Sequence, residues 1–220
     1  MTSDGTFPQR LTKIDDLARP DHFYLVPTDE CYFLGEYTAR KGYAFSATNQ
    51  LILNFKKAMN KRNSAQWRYK DKAIEEAAAA FRASLNGEWL DGATLVPIPP
   101  SKSKNDALYD DRLVRMLRSV RPQPALDVRE LILQHASTVA VHDQENRPTP
   151  EQIQANYAID HAVRDPVPQV IGLFDDVLTT GAHFRAASTV LQQSFPTVQI
   201  VGLFIARRVP EAADIEDFDL

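Results

Sequence analysis

The residues best suited to chemistry lie in one short segment in the last third of the chain. Asp175 and Asp176 stand side by side after the apolar run at 170–174, and Thr179-Thr180-Gly181 follows after two more apolar residues. Two carboxylates at a strand end can accept hydrogen bonds from sugar hydroxyls. A Thr-Thr-Gly turn that opens a helix supplies amide and hydroxyl donors for an anion. The pattern therefore predicts a ligand that carries both hydroxyls and a phosphate, as ribose 5-phosphate does.

A second candidate anion site is the basic loop that begins at Pro99. It combines hydroxyl groups with two cations directly after a predicted buried strand: Ser101, Lys102, Ser103 and Lys104. Taken alone, such a loop is explained equally well as a solvated basic surface. Its position after a parallel strand, in a chain that also carries the acidic pair, favours an anion-binding role.

Apolar strands that alternate with amphipathic helices are predicted from residue 93 onward. The predicted strands are 94–98, 126–133, 170–174 and 197–206. Helices are predicted from Asn105 or Asp106 to about Val120, from Pro150 after the capping residue Thr149, and from about Gly181. This alternation predicts an α/β fold, a doubly wound parallel sheet of about five strands that is covered on both faces. Ligands bind at the carboxyl ends of such strands, where both candidate loops lie.

The first 92 residues have a different pattern. Aromatic residues crowd the stretch 23–45 around the turn-like Ala39-Arg40-Lys41-Gly42, which predicts a β-hairpin. Two helices are predicted to follow, with inward faces over 51–59 and 74–85. The end of the chain, from Glu211, is acidic and is expected to fray.

Composition narrows the class of protein. The chain has 220 residues, 44% of them hydrophobic and 25% charged, as in ordinary globular domains. The net charge of −4 provides no basic field for nucleic acid. Cys31 is the single cysteine, so an internal disulfide and a Cys-rich zinc site are both excluded, and we expect a small buried side chain there. With no apolar core in residues 1–20 and no apolar run long enough to span a bilayer, we expect a soluble, cytoplasmic protein without a membrane partner.

The segment around the acidic pair resembles the 5-phosphoribosyl 1-pyrophosphate (PRPP) motif of type I phosphoribosyltransferases. Asp175-Asp176-Val177-Leu178-Thr179-Thr180-Gly181 matches that motif without a break, while Gly172 and His183 depart from it. Within the superfamily the chain is most similar to the ComF-like branch, loosely over 50–208. Leu95-Val96-Pro97-Ile98-Pro99 resembles its Val-Pro-Val-Pro strand end, although the Cys-rich zinc element and the Arg-Gly-Phe-Asn-Gln segment of that branch are absent.

The resemblance implies a type I phosphoribosyltransferase-like core at 93–208, an N-terminal hairpin and helical hood at 1–92, and an acidic tail at 209–220. It implies transfer of the 5-phosphoribosyl group from PRPP to a nitrogenous base or similar acceptor, with release of pyrophosphate. Asp175 and Asp176 would orient the ribose. The implied phosphate-binding residues are Thr179, Thr180, Gly181, Ala182 and His183 for the 5′-phosphate, and Ser101, Lys102 and Lys104, supported by Ser103, for the pyrophosphate. Mg²⁺ would be carried on the PRPP oxygens, and no protein-held metal is expected.

By position, the loop 134–154 corresponds to the mobile loop that closes over the site in this superfamily. Its candidate covering residues are His135, His142, Asp143 and Arg147. A surface loop without chemistry is the alternative for each of them. The pair Arg207-Arg208, at the end of the last predicted strand, would either contact a phosphate or lie in a subunit interface.

Several alternatives stay open. The departures at His183 and after Lys104 point to a PRPP- or nucleotide-sensing protein that binds without turnover and acts through a protein partner. A homodimer is a separate expectation for the assembly of the chain. A nucleic-acid-linked role, by likeness to ComF-like proteins, gains nothing from the negative charge. An acidic strand end closed by a capping turn, with no ligand, is the purely structural explanation. A Walker ATPase is excluded because no Gly precedes a Lys, and a haloacid-dehalogenase-type phosphatase needs acids two residues apart.

Overall fold

A central sheet of six strands organises the protein, whose computed structural model describes residues 6–138 and 148–210. Its strands are β1 (Thr12–Lys13), β2 (Glu30–Thr38), β3 (Ala93–Pro97), β4 (Asp127–Val128), β7 (Val170–Leu178) and β8 (Gln199–Val209), and the short strands β5 (Ile132–Gln134) and β6 (Tyr157–Ile159) form a separate antiparallel pair. The order across the sheet is β1-β2-β8-β7-β3-β4. The short β1 pairs antiparallel with β2, and the other pairings in this sheet are parallel.

Helices cover both faces of the sheet. They are α1 (Ala47–Phe55), α2 (Trp67–Ser84), α3 (Gly87–Gly92), α4 (Arg112–Val120), α5 (Pro150–Gln154) and α6 (Ala182–Ser194), with short 3-10 turns at Arg19–His22, Met59–Lys61 and His161–Val163. One core joins α1, α2 and α4 to the sheet around Phe55, Phe81 and Phe174. The other joins α6 and the β5–β6 pair around Leu173 and Phe204. The predicted α/β class with a mainly parallel sheet covered on both faces is therefore confirmed.

The crevice between β3 and β7 is the point where the chain reverses its direction across the sheet. From β3 the chain continues through α4 to β4 on one side, whereas from β7 it continues through α6 to β8 on the other side. Because α4 and α6 pack on opposite faces, the loops that follow β3 and β7 diverge from each other. Open parallel sheets bind ligands in this kind of crevice.

The predicted hairpin around Ala39–Gly42 is wrong. β2 instead lies between β1 and β8 in the main sheet, and the chain turns after Thr38 into α1. Asn49 holds this turn, because its side chain accepts from the Thr38 amide at 3.1 Å and donates to the Thr38 carbonyl at 2.8 Å. The Ser46 hydroxyl caps α1 by accepting from the Asn49 amide at 3.0 Å. Tyr43 and Phe45, the last aromatic residues of the stretch 23–45, therefore lie in the turn that leads from β2 into α1.

Two other boundaries differ from the prediction. The helix expected from Asn105 or Asp106 begins at Arg112, because the Asp106 carboxylate accepts from the Leu108 amide at 2.9 Å and closes a separate turn. The strand expected over 126–133 is divided into β4 and β5, which belong to different sheets. By contrast, Thr149 caps α5 in the predicted capping box.

The single cysteine behaves as expected. Cys31 is fully buried in β2, and burial raises the pKa of its thiol, so it packs as a small apolar side chain. Among the helices within residues 6–138 and 148–210, none combines the length and the apolar character needed to traverse a lipid bilayer.

Candidate functional site

The acidic pair lies near the carboxyl end of β7, at the edge of the crevice. Successive side chains of a strand point to opposite faces, so Asp176 shares the face of Phe174. The Phe174 ring packs edge-on against Phe81 of α2, with centroids 5.2 Å apart. Asp176 is therefore directed towards α1, α2 and α4, while Asp175 is directed towards the face that α6 covers.

Asp176 is held by two cations. Its Oδ1 accepts from Lys56 Nζ at 2.8 Å, and its Oδ2 accepts from Arg112 Nη2 at 2.6 Å and from Arg112 Nε at 3.2 Å. Only 4% of the side chain is exposed. Burial alone would raise the pKa of Asp176, but Lys56 and Arg112 outweigh it and hold the pKa well below the usual range. Asp176 is therefore ionised at neutral pH.

The ion pairs continue behind Asp176 into the helical layer. Arg112 Nη1 donates to Asp110 Oδ2 at 2.8 Å, and the same oxygen accepts from Lys70 Nζ at 2.6 Å. Lys70 is fully buried and also donates to the carbonyls of Phe55 and Lys57 at 3.0 and 2.9 Å. Burial lowers the pKa of Lys70, and the attraction of Asp110 opposes that effect. Charges of alternating sign thus link the candidate site to α2.

Asp175 has a different environment. Its Oδ1 accepts from the amide of Asp176 at 2.7 Å, and within the part of the chain that the structure describes no side chain donates a hydrogen bond to it. Burial, followed by the neighbouring charge of Asp176, raises the pKa of Asp175 above its ordinary value. Hydroxyl donors or a cation brought by a ligand would stabilise its ionised form.

The Thr-Thr-Gly turn has a left-handed glycine at its end. Gly181 has φ +87°, and a Cβ there would lie 3.1 Å from the Leu25 side chain, so both conformation and space favour glycine. The first hydrogen bond within α6 runs from the Arg185 amide to the Gly181 carbonyl at 2.9 Å. The amides of Ala182, His183 and Phe184 precede that bond and have no partner inside the helix. The turn can therefore present consecutive amide donors to an anion.

His183 is the second residue of α6 and is exposed. Its Nδ1 lies 3.2 Å from the hydroxyl of Tyr157, which is buried on β6. Burial, with a smaller contribution from Asp175, raises the pKa of Tyr157. The imidazole thus contacts Tyr157, whereas its backbone amide belongs to the helix start.

A cavity of about 360 Å³ lies beside the carboxyl end of β3. It is bounded by the loop after β3, the start of α4 and strand β5, and of the predicted residues it includes Lys102, Ser103, Lys104 and His135. Its volume is in the lower part of the range of small-molecule sites. Ser101 is not part of the lining, and its carbonyl accepts from the Thr138 amide at 2.7 Å. Lys104 Nζ lies 3.3 Å from Glu130 Oε2.

Arg112 connects the acidic pair on β7 with the lysine-lined cavity after β3. This side chain lines the cavity and binds Asp176, and β3 and β7 are neighbours with Pro97 opposite Phe174. The residues of the Thr-Thr-Gly turn do not line the cavity, so the groups are adjacent but do not share one pocket.

Two further sets of predicted residues remain, the arginines at the end of β8 and the candidate covering residues of the loop 134–154. Arg207 pairs with Glu36 and Asp21 and lies over the Phe33 ring. His142, Asp143 and Arg147 lie outside the described residues.

The sequence did not point to the cations around the acids. Lys56, Lys70 and Arg112 come from three different helices or their ends, and each looks like an ordinary helical cation in the sequence. For Lys70 the alternation with aromatic residues in Trp67-Arg68-Tyr69-Lys70 was a weak signal of a helix face over the core. Burial is what distinguishes these residues, and it becomes visible only when the helices pack.

The fold and the site define an α/β protein with an acidic, amide-rich crevice at the switch point of a parallel sheet. A scan against protein-family models finds none that matches this chain. A search of curated proteins finds no sequence with significant similarity.

Proposed function

We propose that this protein binds PRPP with Mg²⁺ and transfers its 5-phosphoribosyl group to a nitrogenous acceptor, with release of pyrophosphate. One observation carries the proposal: the acidic pair, the amide-rich turn and the lysine-lined cavity all lie at the β3–β7 switch point. A ligand with a diol, a terminal phosphate and a pyrophosphate needs donors and acceptors of these three kinds. The acceptor is specified only as a nitrogen nucleophile.

Each group of residues has a distinct role in this proposal. Asp175, which has no side-chain donor among the described residues, accepts from the ribose hydroxyls. The amides from Thr180 to His183 bind the 5′-phosphate. Lys102 and Lys104 bind the pyrophosphate, and Lys104 exchanges its contact with Glu130 for the ligand.

Mg²⁺ fits this site as part of the ligand. Mg²⁺ in proteins is commonly bound through substrate phosphates together with one or two carboxylates, so the PRPP oxygens would supply most of its coordination. Asp175 is the carboxylate best suited to lie beside the ion, because the cations that approach the acidic pair within the described residues bind Asp176. When bound, Mg²⁺ would neutralise charge on the departing pyrophosphate.

The transfer breaks the bond between C1 and the pyrophosphate oxygen and forms a bond between C1 and the acceptor nitrogen. The bonding pair leaves with the pyrophosphate, and the proton of the acceptor nitrogen goes to solvent. Positive charge develops on the sugar in between, so the residues contribute by positioning and by charge balance.

Calorimetry of PRPP·Mg²⁺ binding tests the proposal. Replacing both acids, Asp175→Asn with Asp176→Asn, should weaken binding at least tenfold, or about 1.4 kcal/mol. Asp175→Asn alone should show most of that loss, which guards against damage caused by breaking the Asp176 ion pairs. The matched control is Asp91→Asn, which removes the same charge from an exposed residue. Asp91 lies just before the amino end of β3, whereas the candidate site lies at the carboxyl ends of the strands. Equal affinity of the wild type, the Asp175→Asn variant and the double variant for PRPP·Mg²⁺ would contradict the proposal.

A second candidate is a PRPP-binding sensor that does not turn over. Lys56 and Arg112 both pair with Asp176, and two nearby cations reduce its capacity to stabilise a positively charged sugar. Incubation with PRPP, Mg²⁺ and a panel of bases separates the candidates. Release of pyrophosphate that depends on one base supports the transferase, whereas tight binding without release supports the sensor.

A further inference from the structure

A segment near the N-terminus crosses the Thr-Thr-Gly turn. We call residues 22–29 the strap. Its central contacts are to the turn itself: the Tyr24 amide donates to the Thr180 carbonyl at 3.0 Å, and Leu25 packs against Gly181. Two elements distant in sequence are therefore joined at the predicted phosphate-binding turn.

The strap is anchored at both of its ends. At its far end, Asp29 forms an ion pair with Arg185 of α6 and accepts from the Val26 amide at 2.8 Å. Arg185 Nε also donates to the Tyr24 carbonyl at 3.3 Å. The strap is thus attached to the same helix that the turn opens.

His22 anchors the near end. It is fully buried, and its Nδ1 forms a hydrogen bond with the Thr179 carbonyl. A carbonyl oxygen only accepts, so Nδ1 carries the proton. Nε2 is buried and has no hydrogen-bond partner in the described part of the chain. The orientation of the ring therefore depends on a single polar contact, the one to the turn.

These contacts determine which way the peptide groups of the turn point. In a trans peptide the carbonyl of one residue and the amide of the next point in opposite directions. Because the carbonyls of Thr179 and Thr180 face the strap, the amides of Thr180 and Gly181 point away from it. They join the free amides at the start of α6 as a set of donors on one side of the turn.

We propose that His22 is a positioning residue for phosphate binding: by donating to the Thr179 carbonyl, it holds the amides of the turn towards the 5′-phosphate of the ligand. This inference rests on the proposed function and adds a residue that the PRPP-like motif does not contain. His22 does not touch the ligand and acts through the backbone of Thr179 and Thr180. Burial lowers the pKa of His22, so the ring is neutral at physiological pH and its single proton stays on the nitrogen that the turn requires.

Three substitutions separate positioning from simple packing. His22→Asn places an amide nitrogen near the position of Nδ1 and keeps the donor. His22→Gln is equally polar but places its amide near the position of Nε2, and His22→Phe fills the space without any donor. Thermal melting of each variant checks that the fold is retained, and if the Phe variant does not fold, the Asn and Gln variants decide the result between them.

Calorimetry with two probes provides the readout. Ribose 5-phosphate carries the phosphate that the turn would bind, and pyrophosphate does not depend on the turn. The Gln and Phe variants should bind ribose 5-phosphate about tenfold more weakly or worse, and the Asn variant should bind within about threefold of wild type. All three variants should bind pyrophosphate within about twofold of wild type.

The outcomes distinguish this inference from the proposed function. If wild type binds ribose 5-phosphate and the Gln and Phe variants bind it equally well, the positioning role is overturned and the proposed function stands. If the variants lose affinity for both probes to the same degree, His22 has only a general structural role and the inference is again overturned. If wild type binds neither PRPP nor ribose 5-phosphate, the proposed function fails and the inference fails with it.

Discussion

The two candidate anion-binding loops differ in how they are held. The segment at the end of β7 carries the acidic pair, of which Asp176 is buried, and the turn that follows is closed by a left-handed glycine and crossed by the strap. The loop after β3 is more open: Ser101 and Lys104 are exposed, and its contacts are to the segment 134–138 and to Glu130. One loop is built into the core, and the other lies over a cavity.

Because the two loops are held differently, they should contribute differently to the stability of the fold and to ligand binding. The buried charges behind β7 contribute to folding and to the site together, because a charge removed from water must be paired wherever it lies. The exposed Lys104 after β3 contributes little to folding, because water screens its ion pair with Glu130. Substitutions in the two regions should therefore affect the free energy of unfolding very differently.

The largest expected effect is on the charge chain behind Asp176. Asp110→Asn removes the carboxylate that pairs with the fully buried Lys70 and leaves the ammonium group with neutral acceptors alone, among them the carbonyls of Phe55 and Lys57. We expect a loss of about 3–5 kcal/mol in the free energy of unfolding, measured by urea denaturation, as for other buried pairs that lose one partner. The neighbouring exposed acid supplies the control, since Asp111→Asn should change stability by less than about 0.5 kcal/mol. Similar small losses in both variants would show that the chain of charges adds little to the fold.

A smaller effect, with a pH dependence, is expected at Asp175. Its pKa is raised in the folded state, so the folded protein binds more protons than the unfolded chain as pH rises above the unfolded carboxyl value of about 3.9. Stability is therefore lost as pH rises through the folded-state pKa. Asp175→Asn removes that cost and keeps an oxygen that can accept from the Asp176 amide.

Urea denaturation at two pH values measures this effect. The Asn variant should exceed wild type by at least about 1.4 kcal/mol at pH 8, the equivalent of one pKa unit. The difference should shrink towards pH 4, where the wild-type carboxyl is protonated in the folded state. A variant that is less stable than wild type at pH 8 would mean that the ionised carboxylate is already well compensated.

The smallest expected effect on stability is in the loop after β3. Lys104→Ala breaks an ion pair whose side chains are 42% and 27% exposed, which should cost less than about 0.5 kcal/mol. Calorimetry should nevertheless show pyrophosphate binding about tenfold more weakly, because the cation lines the cavity. Lys72→Ala, an exposed lysine of α2, is the control and should change neither quantity. An unchanged affinity in the Lys104 variant would remove the cavity from the proposed site.

Much of the local structure could be predicted from the sequence. The helix at α6, the capped start of α5 and the apolar strands β7 and β8 follow from short-range periodicity and capping residues. A glycine in the turn was expected to let the backbone come close to an anion, whereas its left-handed conformation became visible only in the structure. These features depend on neighbours within a few residues, and the sequence shows those neighbours directly.

The place of β2 could not be predicted in the same way. Its aromatic residues suit a hairpin and a central strand equally well, and the difference is its partner, β8, which lies more than 160 residues further along the chain. Strand pairing depends on which surfaces remain to be covered after the rest of the sheet has formed, and local periodicity carries no information about that.

The acids, the Thr-Thr-Gly turn and the basic loop were recognisable from residue types and spacing, because the chemistry of each lies within a few consecutive positions. The partners that complete them were decided by packing. Lys56, Lys70 and Arg112 become a charge chain, and His22 reaches Thr179, only because distant elements fold against β7. Burial makes these contacts strong and specific, and burial is a property of the assembled molecule.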